Sequence, residues 1–403
     1  MSKFLFFDNA STTQCCDEAV ELVQKFAREE FGNPSSAHAM GQQAACAIKE
    51  ARRFFAGVFN IEPNQIIFTG SGSEADNLAV YGVALDALAK RRHGRVLASA
   101  TEHAAVRKTV KSLTDLGLDS RLLGVDGQGQ IDQPEFEKNL IPQTILVSIQ
   151  QVNNISGAIL PVEELARFAK SKVRHSVFHS DCVQAFGKIE PPKGGSPVDL
   201  VSISAHKVKG PKGVGALIVL NKHLLKEGMR PLIWGGDQES GFRSGTQSTG
   251  LIAGFHAAAK LTLEKREKSF EHARELQQAF RQELTERGLI DVKPGEKRVN
   301  STVRWNSPEK AVPHIVSFSV PGYPSPLIAK MLEDRSCIVS MGSACSSHKS
   351  EPDPVLCAMN LPPAIYNSAL RVSFADCNSR EDVHTLVAAL EDSIQQMKKL
   401  LGG

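Results

Sequence analysis

A chain of 403 residues is too long for one small core, so two domains are the expected organisation. Its charge is nearly balanced at +3 with no basic block suited to a phosphate backbone, which gives no ground for nucleic-acid binding. The run Phe4-Leu-Phe-Phe7 is too short for a signal peptide or a membrane span, and none of the eight cysteines forms a Cys-x-x-Cys pair. Neither a metal framework nor a disulfide scaffold is therefore expected, and a reducing cytoplasm fits.

Short apolar runs alternate with helical patterns from about residue 60 to 220. The runs 66–69, 96–99, 144–148, 177–179, 200–203 and 216–220 read as strands. A helix over 73–90 puts Leu78, Tyr81, Leu85 and Leu88 on one face, with Ser73 and Asp76 as a capping-box start and Gly94 beyond its end. This alternation predicts an α/β fold with a mostly parallel sheet covered by helices. A long polar helical stretch follows over about 251–287. Beyond it, 299–305 and 314–320 read as strands and 327–334 as a helix. A last helix starts at Ser379, with Asp382 three residues on and Val383, Leu386, Val387, Leu390, Ile394 and Met397 on its core face. That pattern predicts a smaller α+β domain.

The chemistry concentrates where the predicted strands end. Strand 200–203 delivers Ser204, His206 and Lys207 and then breaks at Gly210-Pro211. A lysine held there is open to desolvation, which lowers its pKa and makes the amine nucleophilic, as a Schiff-base lysine for pyridoxal phosphate requires. The ordinary alternative is a solvated basic turn shared with Lys209 and Lys212. Thr69-Gly-Ser-Gly-Ser73 joins a strand to a helix, so backbone amides near Gly72 and the Ser73 hydroxyl make a ready phosphate site. The same glycines fit a dinucleotide fingerprint, but the acidic residue expected about 20 positions on is missing. Asp181 follows another strand, where a carboxylate either pairs with a protonated pyridine nitrogen or caps the next helix. His103 sits at a strand-to-helix turn, where its ring would stack on a cofactor or simply satisfy the turn. Asn153-Asn154 before Ile155-Ser-Gly157 is a turn with amide donors to spare.

Cys345 differs from the other cysteines. It falls in 339–354, a stretch of small, polar and proline residues that reads as a loop, with His348 and Lys349 near enough in sequence to favour the thiolate. Arg371 lies in the strand-like run Leu370-Arg-Val-Ser-Phe374, and its planar fork suits a carboxylate.

Together these segments resemble the cysteine desulfurases, fold-type I pyridoxal phosphate enzymes of the class V aminotransferase group. The resemblance runs from Asp8-Asn-Ala-Ser-Thr-Thr13 and Gly32-Asn-Pro-Ser-Ser36 to Cys345 and the last helix. The form Gly-Ser-Ala-Cys-Ser-Ser at 342–347 resembles group I, whose members serve nitrogenase or general iron–sulfur assembly. The resemblance implies a large cofactor-binding domain over 14–261 and a small domain of 1–13 with 262–403. It implies pyridoxal 5'-phosphate bonded to Lys207, with Asp181 at the pyridine nitrogen, Asn154 and Gln184 at the phenolic oxygen, and His103 stacked on the ring. Gly72, Ser73, Ser204 and His206 would hold the phosphate, joined by Thr246 of a second subunit in a homodimer. Arg371, with Asn33 and Asn154, would bind the L-cysteine substrate, and no metal is implied.

The implied reaction converts L-cysteine to L-alanine and leaves a persulfide on Cys345 for delivery to an acceptor or scaffold protein. Alternatives are a selenocysteine lyase, a class V aminotransferase, or a non-enzymatic sulfur-relay scaffold. The sequence departs from the family pattern in places. Asn-Asn-Ile-Ser-Gly replaces the usual Asn-Asn-Glu-Ile-Gly, and Asp237 and Ser240 replace a common glycine and arginine. Cys357 stands where arginine is frequent, and 299–313 is longer than usual.

Overall fold

The structure, a computed structural model, describes residues 4–290, 302–341 and 353–400. Strand β1 (Leu5–Phe6) precedes two helices, Asp17–Arg28 and Ala39–Phe59, that the sequence reading did not mark. The expected alternation follows with β2 (Ile66–Thr69), β3 (Arg95–Ser99), β4 (Asp119–Leu123), β5 (Thr144–Ser148), β6 (Val177–Asp181), β7 (Leu200–Ser204) and β8 (Gly215–Val219). These form one seven-stranded sheet in the order β2-β8-β7-β6-β5-β3-β4. From β7 to β4 every neighbouring pair is parallel, whereas β8 is antiparallel to both β7 and β2.

Helices on both faces leave the inner strands no solvent side, so β3, β6, β7 and β8 are buried at every position. One face packs on a cluster that includes Phe55, Phe59, Phe186 and Phe255. The other packs on Leu78, Val80 and Val83 of the helix Gly72–Ala89.

Later in the chain come β9 (Arg304–Trp305), β10 (Ile315–Ser319), β11 (Cys337–Ile338), β12 (Ser340–Met341) and β13 (Ala369–Ser373). The order β12-β13-β10-β9 makes a four-stranded antiparallel sheet, and β11 pairs in parallel with β1. Its apolar cluster joins Phe280, Phe318, Leu332 and Leu390, drawing on the helices Arg266–Glu286, Ser325–Asp334 and Arg380–Leu400. Among the described residues, no helix is long and apolar enough to cross a membrane.

Three local expectations change. The cap of the helix after β2 is Ser71, whose Oγ accepts from the Glu74 amide at 3.1 Å, so Ser73 lies within the first turn. Asp76 is a buried acid, not a capping partner. The helical stretch expected over 251–287 is two helices, Thr249–Glu264 and Arg266–Glu286, broken at Lys265. The capping box at Ser379 and Asp382 is present, each accepting from the other's amide.

Candidate active site

Ligands in open α/β sheets bind beyond the carboxyl ends of the parallel strands. Here those ends deliver His103 after β3, Asn154 after β5, Asp181 at the end of β6, and Ser204 and Lys207 at and after β7. β6 and β7 run in register with Asp181 opposite Ser202, which fixes the carboxylate beside the lysine turn. The result is a cleft of about 600 Å³. Gly72, Ser73, His103, Asn154, Asp181, Gln184, Ser204, His206, Lys207 and Arg371 all line it. Asn33 and Thr246 line a separate shallow groove beside Phe31 and Pro34, so one chain alone does not bring them to the cleft. Cys345 lies outside the described residues.

The Lys207 amine points back at the N-terminal segment, donating to the carbonyls of Ala10 at 2.7 Å and Ser11 at 2.6 Å. Burial pulls its pKa down to about 8, helped by the charges of Arg371 and Lys188 and opposed by Asp8 and Asp181. His206 is held down at about 4, first by burial and then by Lys207, and its Nδ1 lies 3.2 Å from Thr12 Oγ1. Gln184 Nε2 donates to the Ala10 carbonyl at 2.9 Å, so this one carbonyl receives both cleft side chains.

His103 caps the helix Ala104–Ser112, its Nδ1 accepting from the Ala105 amide at 3.2 Å. The turn reading is therefore correct, and the capping bond fixes the orientation of a ring that also faces the cleft. Burial lowers its pKa, opposed by Asp181. Asn153 makes the turn through Oδ1, which accepts from the amides of Ile155 and Ser156 at 2.9 and 2.8 Å. That leaves Asn154 to face the cleft.

Asp181 Oδ1 accepts from the Val183 amide at 2.8 Å, and burial raises its pKa against the pull of His103. Two acids that the sequence reading did not assign to the site stand with it. Asp76 and Glu102 are buried at the cleft wall, and burial pushes both well above the carboxylate range, with the Asp181 charge adding to the rise. Beneath Asp76, His179 bridges Ser148 Oγ at 2.8 Å and Ser202 Oγ at 2.9 Å. Burial holds this imidazole down at about 3.

Arg371, only 2 % exposed, reaches the cleft from β13 of the second sheet. Its Nη1 donates to the Asn154 carbonyl at 2.7 Å and its Nη2 to Asp8 Oδ1 at 2.7 Å. Its Nε is buried and finds no acceptor among the described residues.

These residues fit pyridoxal phosphate. Besides Arg371 Nε, three buried polar atoms at the cleft, Ser204 Oγ, Asp76 Oδ1 and Glu102 Oε2, find no hydrogen-bond partner among the described residues. Gly72 begins the helix that would face an anion, and a Cβ there would meet Val183 Cγ2 at 2.9 Å and Ser204 Cβ at 3.0 Å. The missing side chain leaves the backbone bare where a phosphate group would be cradled.

A family model described as aminotransferase class-V matches residues 5–386. The chain is 36% identical over 403 residues to a protein named cysteine desulfurase IscS from Dictyoglomus turgidum, covering 99% of this chain and 97% of the relative. It is 35% identical to a cysteine desulfurase of Bradyrhizobium diazoefficiens, covering 98% and 95% of the two chains. Among solved structures, a NifS-like protein superposes with a TM-score of 0.87 at 31% identity, covering 98% of this chain and all of the other. With matches that span both sheets and the cleft between them, the chain belongs to the class V aminotransferase family, among its cysteine desulfurases.

Proposed function

We propose that this protein is a pyridoxal phosphate-dependent cysteine desulfurase that converts L-cysteine to L-alanine and passes the sulfur to its own Cys345. The observation that carries the reading is the meeting of Lys207, Asp181 and Arg371 at one cleft, in a chain of this family. Lys207 would hold the cofactor covalently, Asp181 would face its ring nitrogen, and Gly72, Ser204 and His206 would receive its phosphate. Bound there, the cofactor supplies an electron sink for the substrate carbanion.

The chain's own residues supply the rest. Arg371, buried and fixed by two hydrogen bonds, would orient the substrate carboxylate. The Lys207 amine, with its pKa drawn to about 8, would carry the Cα proton. The Cys345 thiolate attacks the substrate sulfur, the carbon–sulfur bond breaks, and its electron pair stays on Cβ, which a proton turns into the alanine methyl group. One cysteine and one thiol thus become one alanine and one persulfide.

The persulfide would serve an acceptor protein in iron–sulfur or other thio-cofactor assembly in the cytoplasm, and Thr246 would complete the phosphate site of a second subunit. Residues 14–261 would form the large domain and 1–13 with 262–403 the small one, a division supported by the helix break at Lys265 close to that boundary.

Purified protein loaded with cofactor and given L-cysteine with a thiol reductant should release alanine and sulfide in equal amounts. Keto-acid formation without sulfide would instead make it an aminotransferase. Turnover of selenocysteine alone would make it a lyase.

A further inference from the structure

Lys188 lies outside the cleft, yet its side chain touches the turn that carries the cleft's central amine. The approach is built by Gly187, whose φ is +75° and whose missing Cβ would meet Thr262 Cγ2 at 2.8 Å and Val208 Cγ1 at 2.9 Å. This brings the backbone against the Lys207 turn, where Lys188 Nζ donates to the Lys207 carbonyl at 3.0 Å. Lys188 and Lys207 together line a second, small cavity of about 60 Å³, bounded also by the charged groups Lys209, Lys265, Arg266 and Asp376 and by His314.

Among the described residues, Lys188 has no ion-pair partner. Asp376, whose charge does reach it, is already paired with Lys209. Burial and the Lys209 charge bring Lys188 down to about 8, with Asp376 acting the other way. A cation placed in such surroundings without a counter-ion costs stability, so its position calls for a reason in the site.

We propose that Lys188 is a positioning residue for Lys207: its ammonium braces the Lys207 turn and, with no ion-pair partner among the described residues, disfavours a second positive charge on the neighbouring amine. The proposal rests on Lys207 being the residue that bonds the cofactor. A like charge beside an amine disfavours a second ammonium. Two cations act on Lys207 in this sense, Arg371 and Lys188, while Asp8 and Asp181 act against them. His206 and His314 are held below their ordinary range and add no charge at neutral pH. Arg371 is already shielded by Asp8 at 2.7 Å and would be shielded further by a substrate carboxylate. Lys188 is the cation whose effect persists when substrate is bound.

The test follows capture of pyridoxal phosphate by full-length protein stripped of cofactor, trapped with borohydride and mapped by mass spectrometry, from neutral to alkaline pH. In Lys188→Met the inflection of the capture rate on Lys207 should rise by about one pH unit, which slows capture about tenfold near neutrality. Lys188→Arg, which keeps the charge and the donor, should leave the inflection at or below that of the parent. The idea is overturned by an unmoved inflection in Lys188→Met, or by an upward move in Lys188→Arg, and the second result decides even if the first variant does not fold. If the parent protein itself traps cofactor on another residue, the assignment of Lys207 fails instead, which is a distinct outcome.

Discussion

Asp8 Oδ1 lies 2.7 Å from Arg371 Nη2, joining residues 363 positions apart in the sequence. Asp8 also forms a bridge to Ser373 on β13, so the N-terminal segment lies along the strand that carries the arginine. The carboxylate fixes one arm of the guanidinium and the Asn154 carbonyl fixes another, at 2.7 Å each. The buried Nε finds no acceptor among the described residues.

Arg371→Ala should raise the apparent KM for L-cysteine by the loss of about 2–4 kcal/mol of charge-assisted binding, while cofactor loading stays normal. Asp8→Asn should give a smaller rise, because the Asn154 bond still aims the fork. Steady-state kinetics on both variants checks this, and an unchanged KM in Arg371→Ala moves the carboxylate site elsewhere.

Cys345→Ser should bind L-cysteine and perturb the visible cofactor spectrum as the parent does, yet release no sulfide. The described cysteines are all free, and replacing any one of them should leave most of the activity. Full sulfide release by Cys345→Ser would point to a lyase that needs no protein thiol.

The acids beside Asp181 give a prediction on stability. Asp76 and Glu102 have folded-state values raised above the carboxylate range, mainly by burial. The neutral acid is thus favoured in the folded state, and its contribution, full at low pH, is lost as pH rises through the raised value. Asp76→Asn and Glu102→Gln in the cofactor-free protein should therefore melt like the parent in acid and higher than the parent toward alkaline pH. Melting curves that stay parallel across the range would show that these groups do not titrate in this way.

Phe31 and Trp234 are 67% and 74% exposed, and Phe31 shares a groove with Thr246 and Asn33, as expected of a face covered by a second subunit. Lys207→Ala chains co-refolded with Thr246→Arg chains should regain one intact site per mixed dimer, although each parent is inactive. Mixed dimers as inactive as their parents would disprove a shared site.

Asp237 has a φ of +60°, in the left-handed region that favours glycine. Asp237→Gly should raise the stability of the fold by about 0.5–1 kcal/mol through relief of that conformation, read as a higher Tm. No gain would mean that the aspartate side chain is itself held.

The inner strands and the Lys207 turn were legible because buried parallel strands are continuous apolar runs and glycine with proline marks the break after them. β4 was not, because as an edge strand it alternates exposed Asp119 and Arg121 with inward residues, and Leu123 alone is fully buried. Lys207, Asp181 and Arg371 carry chemistry that their residue type advertises, so local pattern and resemblance together were enough to mark them. Asp76 and Glu102 offered no such signal. A carboxylate early in a helix reads as a cap, and only the tertiary fold that buries it against Asp181 reveals otherwise. The Asp8–Arg371 pair and the reach of Lys188 to the Lys207 carbonyl likewise depend on contacts that no local spacing encodes.

The long span between Asp8 and Arg371 also sets an order of events during synthesis. Every strand of the large sheet, and the Lys207 turn with it, emerges from the ribosome before β13 is made. The sheet that would seat the cofactor can therefore form while the chain is still growing, since domains fold as units in the order they are made. The arginine arrives nearly last, and the N-terminal carboxylate that aims it must wait for it. A nascent chain would thus pass through a stage at which the Lys207 turn is in place and the arginine that reaches its cleft is not yet made.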